Sequence, residues 1–153
     1  MWPRPIRWLV GHHDGMVQTT TLEIKTTGQG DVHNLTPLVT RAIRASSMES
    51  GLATIAVVGS TAGVTTIEFE PGAVADLNRV WEHLAPRYGE YEHHLRWGDD
   101  NGSSHVRAAM LGPSISIPFD RGHLCVGTWQ QIVLIDFDNR PRQREVVVQL
   151  LGE

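Results

Sequence analysis

The 153-residue sequence predicts an α+β protein, with a largely antiparallel sheet and two main helices. Three observations lead there. About seven segments carry strand composition or two-residue alternation, and only two stretches space their apolar residues as a helix does. The helices also do not alternate regularly with the strands, as a doubly wound fold would require.

Regular patterning begins at residues 19–26, "TTTLEIKT", where Leu22 and Ile24 alternate with polar neighbours and predict a strand with one buried face. From Leu35 the period changes. Apolar Leu38, Val39, Ala42 and Ile43 follow helical spacing, with Thr36 as expected N-cap, Pro37 at the first helical position and Gly51 beyond the end. "LATIAVVG" (52–59) is a continuous apolar run, the mark of a strand covered on both faces, and "AGVTTIEFE" (62–70) continues as strand. Pro71 opens the second helix, whose inner stripe is Val74, Leu77, Trp81 and Leu84, and Pro86 closes it. Residues 90–105 read as a polar loop. "SISIPF", "HLCVG", "QQIVLIDF" and "REVVVQLL" then read as four strands. Residues 1–18, basic and bearing Trp2 and Trp8, are expected to form an N-terminal arm, with Met16 an alternative start, and residues 19–153 a single domain.

A hydrophobic content of 41% in a chain of this length supports one compact core. The net charge of −4 gives no general attraction for nucleic acid or an anionic membrane, so neither is expected as a partner. The apolar stretch of the arm is too short for a signal sequence or a membrane span. The single cysteine, Cys125, allows no intrachain disulfide; it is expected to be buried and inert, in a cytoplasmic protein.

No phosphate-binding glycine loop, paired CxxC, HExxH or GxSxG is present. "DDNG" lacks the glutamate that a calcium loop needs at the correct spacing. Of eight histidines, His93, His94 and His105 flank this acidic loop, within reach of one another across a turn. Neutral imidazole is the commonest metal ligand near pH 7, and a carboxylate such as Asp100 or Asp99 would complete or orient such a set. On extended backbone His93 and His94 point oppositely, so His94 is expected to face away from any site holding His93 and His105. In "GTWQQI", Thr128, Trp129 and Gln130 put polar groups beside an aromatic at the start of an apolar strand, either as a cleft wall or by chance. "DNRPRQRE" concentrates Arg140, Arg142 and Arg144, a phosphate clamp or a solvated rim. Periodicity leaves Glu68 either an outward strand residue or a carboxylate facing the same cleft.

Six ordered blocks, "GDVHNLTPLV", "STAGVTTIEFEPG", "YEHH", "DDNGSSHVRAAMLGPS", "GTWQQIVLIDFD" and "RPRQREVVVQLLGE", resemble the YjbQ-like family, whose members are often named secondary thiamine-phosphate synthases. The resemblance runs from about Thr19 to Glu153. It implies a sandwich-like α+β fold, a homotrimer with polar clefts near subunit contacts, and a weak ability to join hydroxymethylpyrimidine diphosphate to thiazole phosphate. Thr61, Glu68, His93, Asn101 and His105 match the family's polar positions, as do Thr128, Trp129 and Gln130. Gly59 and Ser103 stand where many members carry histidine, which implies weaker metal affinity. On this basis His105, Glu68 and His93 are the expected catalytic residues. Thr61, Asn101, Arg107, Thr128, Trp129, Gln130 and Arg140 would bind a small phosphorylated substrate. A divalent metal, magnesium or zinc, would sit on His93, His105 and Asp100. The alternative is a non-catalytic trimeric module that binds a small anion or a divalent metal.

Overall fold

The computed structural model describes residues 17–153. Eight strands and four helices follow in the order β1 (Val17–Thr26), β2 (Asp31–Asn34), α1 (Thr36–Ser46), β3 (Gly51–Val58), β4 (Ala62–Ile67), α2 (Pro71–Leu84), α3 (Glu92–Trp97), α4 (Gly102–Leu111), β5 (Ser114–Asp120), β6 (His123–Leu124), β7 (Gln131–Asp136) and β8 (Arg142–Gly152). They build two antiparallel sheets, one of order β1-β8-β3-β5-β6 and one of order β2-β7-β4. The expected α+β class and antiparallel pairing hold.

Two-residue alternation decides which side chains face inward. Leu22, Ile55, Val146, Val148 and Leu150 of the larger sheet meet Val64, Ile132 and Leu134 of the smaller one, and α1 adds Val39, Ala42 and Ile43 to this core. The intervening residues of β7, Val133 and Ile135, together with Phe137, face the other way and pack under Trp81 of α2 and Ala108 of α4. β7 is therefore buried on both faces, which explains its unbroken apolar run.

Several expectations change at the boundaries. Residues 1–16, most of the expected arm and the alternative start, lie outside the described residues, while Val17 and Gln18 belong to β1. Leu35, not Thr36, is the N-cap of α1; the Thr36 hydroxyl instead accepts the Ile132 N–H at 2.8 Å and ties the helix to β7. A left-handed Ser47 ends α1, and Gly51 opens β3. Glu70 caps α2 by accepting the N–H groups of Gly72 and Ala73, and Leu84 at the end of the expected inner stripe is exposed. Cys125 is exposed, because Leu124 and Val126 on either side of it turn toward the core. Among the described residues no helix is long and apolar enough to cross a membrane.

The largest departure is the stretch read as a polar loop, which folds as α3 and the start of α4. The buried face of α4 is made of Ser104, Arg107 and Ala108, spaced by three and four residues, so its stripe is small or polar rather than apolar. Gly102 begins this helix where a Cβ would fall 2.6 Å from the Tyr91 side chain, so the close approach of α3 and α4 requires glycine there.

Candidate functional site

At one end of the space between the sheets the apolar core gives way to charge. Asp136 shares the inward face of β7 with Ile132 and Leu134, and Asp138 follows two residues later; both are fully buried. Arg144 of β8 lies two residues before Val146 on the same inward face and is 7% exposed. Its Nε donates to Asp136 Oδ2 and its Nη2 to Asp136 Oδ1, each at 2.6 Å, a fork closed on both carboxylate oxygens. Nη2 also reaches the Thr61 hydroxyl at 2.7 Å, and that hydroxyl donates to Asp138 Oδ2 at 2.8 Å. Arg142 Nε completes Asp138 Oδ2 at 2.8 Å, and the Thr26 hydroxyl donates to Asp136 Oδ2 at 2.5 Å.

Two arginines thus balance two aspartates. Burial pushes the Asp138 carboxyl upward, but the bonds from Thr61 and Arg142 and the charges of Arg142 and Arg144 outweigh it and hold the group below the ordinary aspartate value. Asp138 Oδ1 is sealed from solvent and finds no hydrogen-bond partner among the described residues.

The histidines lie beside this network. α3 carries His93 and His94, and α4 carries His105. The His93 and His105 rings stack with centroids 4.6 Å apart and planes tilted by 39°, as their spacing around the acidic loop led us to expect. His105 is half-buried, and its Nδ1 lies 3.1 Å from the Ser60 carbonyl oxygen. A carbonyl only accepts, so Nδ1 carries the hydrogen and a neutral His105 keeps its lone pair on Nε2. His93 Nδ1 sits 3.2 Å from Asp99 Oδ1 but out of line for a hydrogen bond, so among the described residues this buried nitrogen has no bonded partner.

The loop between the helices is strapped in place. Asp99 Oδ1 accepts the Asn101 N–H at 3.2 Å. The buried Asn101 side chain accepts the Asn139 N–H at 3.3 Å, and Asn139 Nδ2 returns to the Asp99 carbonyl at 2.6 Å. This fixes α4 against the turn between β7 and β8. Ser104 adds a hydroxyl bond of 2.6 Å to the Phe137 carbonyl.

Other expected site residues do not join the histidine pair. His94, expected to stay out of this site, does so, but as a neighbour of His93 on a helix rather than on an extended strand. On the helix its Nε2 accepts the Gly102 N–H at 3.1 Å and its ring meets Tyr91, so it supports the start of α4. Asp100 is 89% exposed and lies 3.9 Å from His94 rather than near His93 and His105. Arg107 is a structural residue instead of a phosphate ligand. Three residues after Ser104 it enters the buried face of α4, where Nε caps the Ala85 carbonyl at 2.8 Å and Nη2 pairs with Glu82 at 2.6 Å. That bond from Arg107 is the chief cause holding the Glu82 carboxyl below its ordinary value. Arg140 is exposed in the turn between β7 and β8.

Glu68, Thr128, Trp129 and Gln130 gather at the opposite end of the β4/β7 pair. Glu68 is exposed just past the end of β4. Gln130 Nε2 donates to the Thr66 hydroxyl and its Oε1 accepts from Gly127, both at 3.1 Å, while Trp129 is 70% exposed. Thr61 and Glu68 bracket β4, and seven residues of extended chain place them about 20 Å apart. The expected site residues of one chain therefore fall into two groups, at opposite ends of the β4/β7 pair. Among the described residues no three His, Cys, Asp or Glu side chains come together as a metal would require, so the expected set of His93, His105 and Asp100 does not form within one chain.

The order of these elements and the blocks that carry them match the family model described as UPF0047 protein YjbQ-like, over residues 20–153. The chain belongs to the YjbQ-like UPF0047 family. A UPF0047 protein of Methanocaldococcus jannaschii is 32% identical over 132 residues, covering 86% of this chain and 92% of that protein. One from Mycobacterium tuberculosis is 36% identical over 111 residues, 71% of this chain and 84% of its own length. Among solved structures, a YbjQ-like protein of unknown function from Sulfolobus solfataricus superposes with a TM-score of 0.81 at 28% identity, covering 90% of this chain and 99% of that one. A hypothetical protein from Aeropyrum pernix K1 gives 0.82 at 30% identity, covering 88% and 98%. This YjbQ-like chain thus shares its fold with relatives over nearly their whole lengths.

The members of the buried charge network that sequence reasoning passed over are Asp136 and Asp138. Their signal is present in "LIDFD": two carboxylates spaced by two in an otherwise apolar strand must share one face, and here that face is the core.

Proposed function

We propose that this YjbQ-like chain is a secondary thiamine-phosphate synthase that works as a cytoplasmic homotrimer. The observation that carries the reading is the His93–His105 pair, in which the Ser60 carbonyl fixes one nitrogen of His105 and leaves Nε2 for a ligand. In the reaction the bond from the pyrimidine methylene carbon to the diphosphate oxygen breaks, and its electrons leave with diphosphate. The thiazole nitrogen supplies the pair for the new C–N bond. A protonated His105 keeps its Nδ1–H on Ser60 and gives the Nε2 proton to the departing diphosphate, which lowers the charge developing there.

The second half-site supports the trimer. Glu68, Trp129 and Gln130 lie too far from His105 to act with it in the same chain, and a copy related by a closed rotation brings the two ends together. The exposed Trp129 then packs at the seam and offers a flat surface to a heteroaromatic ring. A divalent metal enters this reading only with a ligand from the neighbouring copy.

The test is a coupling assay with both precursors, followed by the appearance of thiamine phosphate. Wild-type turnover that falls at least about a hundredfold in His105→Ala supports the reading. Tight binding of phosphate compounds or metals without turnover in the wild type overturns it in favour of a non-catalytic module.

A further inference from the structure

The carboxylates and the Thr61 hydroxyl around Arg144 occupy its Nε and Nη2, but among the described residues Nη1 finds no hydrogen-bond partner, and it is not sealed from solvent. Above it lies Gly59. Its backbone has φ +143°, a region that disfavours any side chain, and among the described residues a Cβ built there has one neighbour within 4 Å: Arg144 Nη1, at 3.1 Å. Gly59 is exposed, so the missing side chain leaves an opening directly over an otherwise buried guanidinium. The same short turn places Ser60 against His105, so this opening and the histidine pair share one piece of backbone.

We propose that Arg144 Nη1, reached through the opening at Gly59, is a binding point for a tetrahedral oxyanion, the phosphate or diphosphate group of a small ligand. The inference rests on the reading of this cleft as a site for phosphorylated compounds, and it replaces Arg107 as the source of positive charge. The guanidinium is immobilised before the ligand arrives, because Asp136 and Thr61 already hold it, so little side-chain entropy is lost on binding. A planar carboxylate is best gripped by a forked edge, and the Nε/Nη2 edge of Arg144 already holds Asp136. The N–H bonds left on Nη1 diverge, so either can donate to a single phosphoryl oxygen, whereas they cannot fork onto both oxygens of a planar carboxylate. The two arginines and two aspartates of the network cancel in charge, so the attraction is local to Nη1 and weakens with distance.

The test uses full-length 15N-labelled protein, observed through its arginine side-chain signals while inorganic phosphate or pyrophosphate is added at constant ionic strength. The expected result is a saturable shift of the Arg144 signal that sodium chloride and acetate do not reproduce. Gly59→Ala, whose methyl group covers Nη1, should weaken the apparent affinity at least about tenfold. If phosphate leaves Arg144 unmoved in the wild type, or acetate moves it equally, the assignment is overturned; this comparison stands even if Gly59→Ala does not fold. A folded Gly59→Ala protein with unchanged phosphate affinity also overturns it. Failure of the coupling assay with a phosphate-specific Arg144 shift removes only the synthase reading. Wild-type turnover retained in full by Gly59→Ala removes only this one.

Discussion

Replacing Thr61 by valine keeps the shape of the side chain and deletes the hydroxyl that links the two halves of the buried network. That hydroxyl accepts from Arg144 Nη2 at 2.7 Å and donates to Asp138 Oδ2 at 2.8 Å. Hydrogen bonds to charged groups contribute about 1.5–3 kcal/mol each. The loss is less than the sum of both at full strength, because Asp138 Oδ2 keeps Arg142 and Arg144 Nη2 keeps Asp136. We therefore expect Thr61→Val to cost about 3 kcal/mol, a fall in melting temperature of roughly 6–12 °C for a chain of this size. Thr61→Ser retains the hydroxyl and loses one methyl group, so its cost should stay near 1 kcal/mol. Urea denaturation at one fixed protein concentration, followed by circular dichroism and tryptophan fluorescence, measures both. A Thr61→Val protein within about 0.5 kcal/mol of wild type, or a Thr61→Ser protein that loses as much as Thr61→Val, would show that the hydroxyl does not link the network.

Three further outcomes follow from the same geometry. Arg107→Lys cannot both cap Ala85 and pair with Glu82 in a fork, so it should lower stability by about 1–3 kcal/mol in thermal unfolding while the KM for both precursors stays unchanged. Cys125 should react stoichiometrically with a thiol reagent in the folded protein, and slow labelling would contradict its exposure. Asp31 is also held low: burial raises it, but the Thr27 N–H and His33 outweigh that effect. Because Asp31, Glu82 and Asp138 all bind protons more weakly folded than unfolded, the unfolded chain protonates first as pH falls. Their stabilising contribution should be present above about pH 4 and lost below it, which urea melts across the acid range would show.

The fold class was legible because alternation and helical spacing are strong in β1, α1, β3, α2 and β8, where apolar residues mark the buried face. The histidine pair was legible for a different reason: imidazoles crowded around a turn have few other uses. α3 and α4 escaped because helix formation there depends on small and polar contacts, with Gly102 under Tyr91 and Ser104 bonded to Phe137. The role of Arg107 escaped with them, since its burial follows only once residues 102–111 are known to be helical. The division of the expected site between two ends of the β4/β7 pair is a matter of register. Ala62 pairs with Asp136 and Ile67 with Gln131, and no local pattern reveals which strands will pair.

On the proposed reading a complete site forms between copies of the chain, with the histidine pair of one facing Glu68, Trp129 and Gln130 of the next. Mixed assemblies of His105→Ala and Trp129→Ala chains, each inactive alone, test it most directly in the thiamine-phosphate coupling assay. Random assembly at equal amounts places an intact histidine end against an intact tryptophan end at about one seam in four, so roughly a quarter of wild-type activity should return. Activity that stays at the level of the separate variants, in assemblies shown to contain both chains, would contradict the shared site.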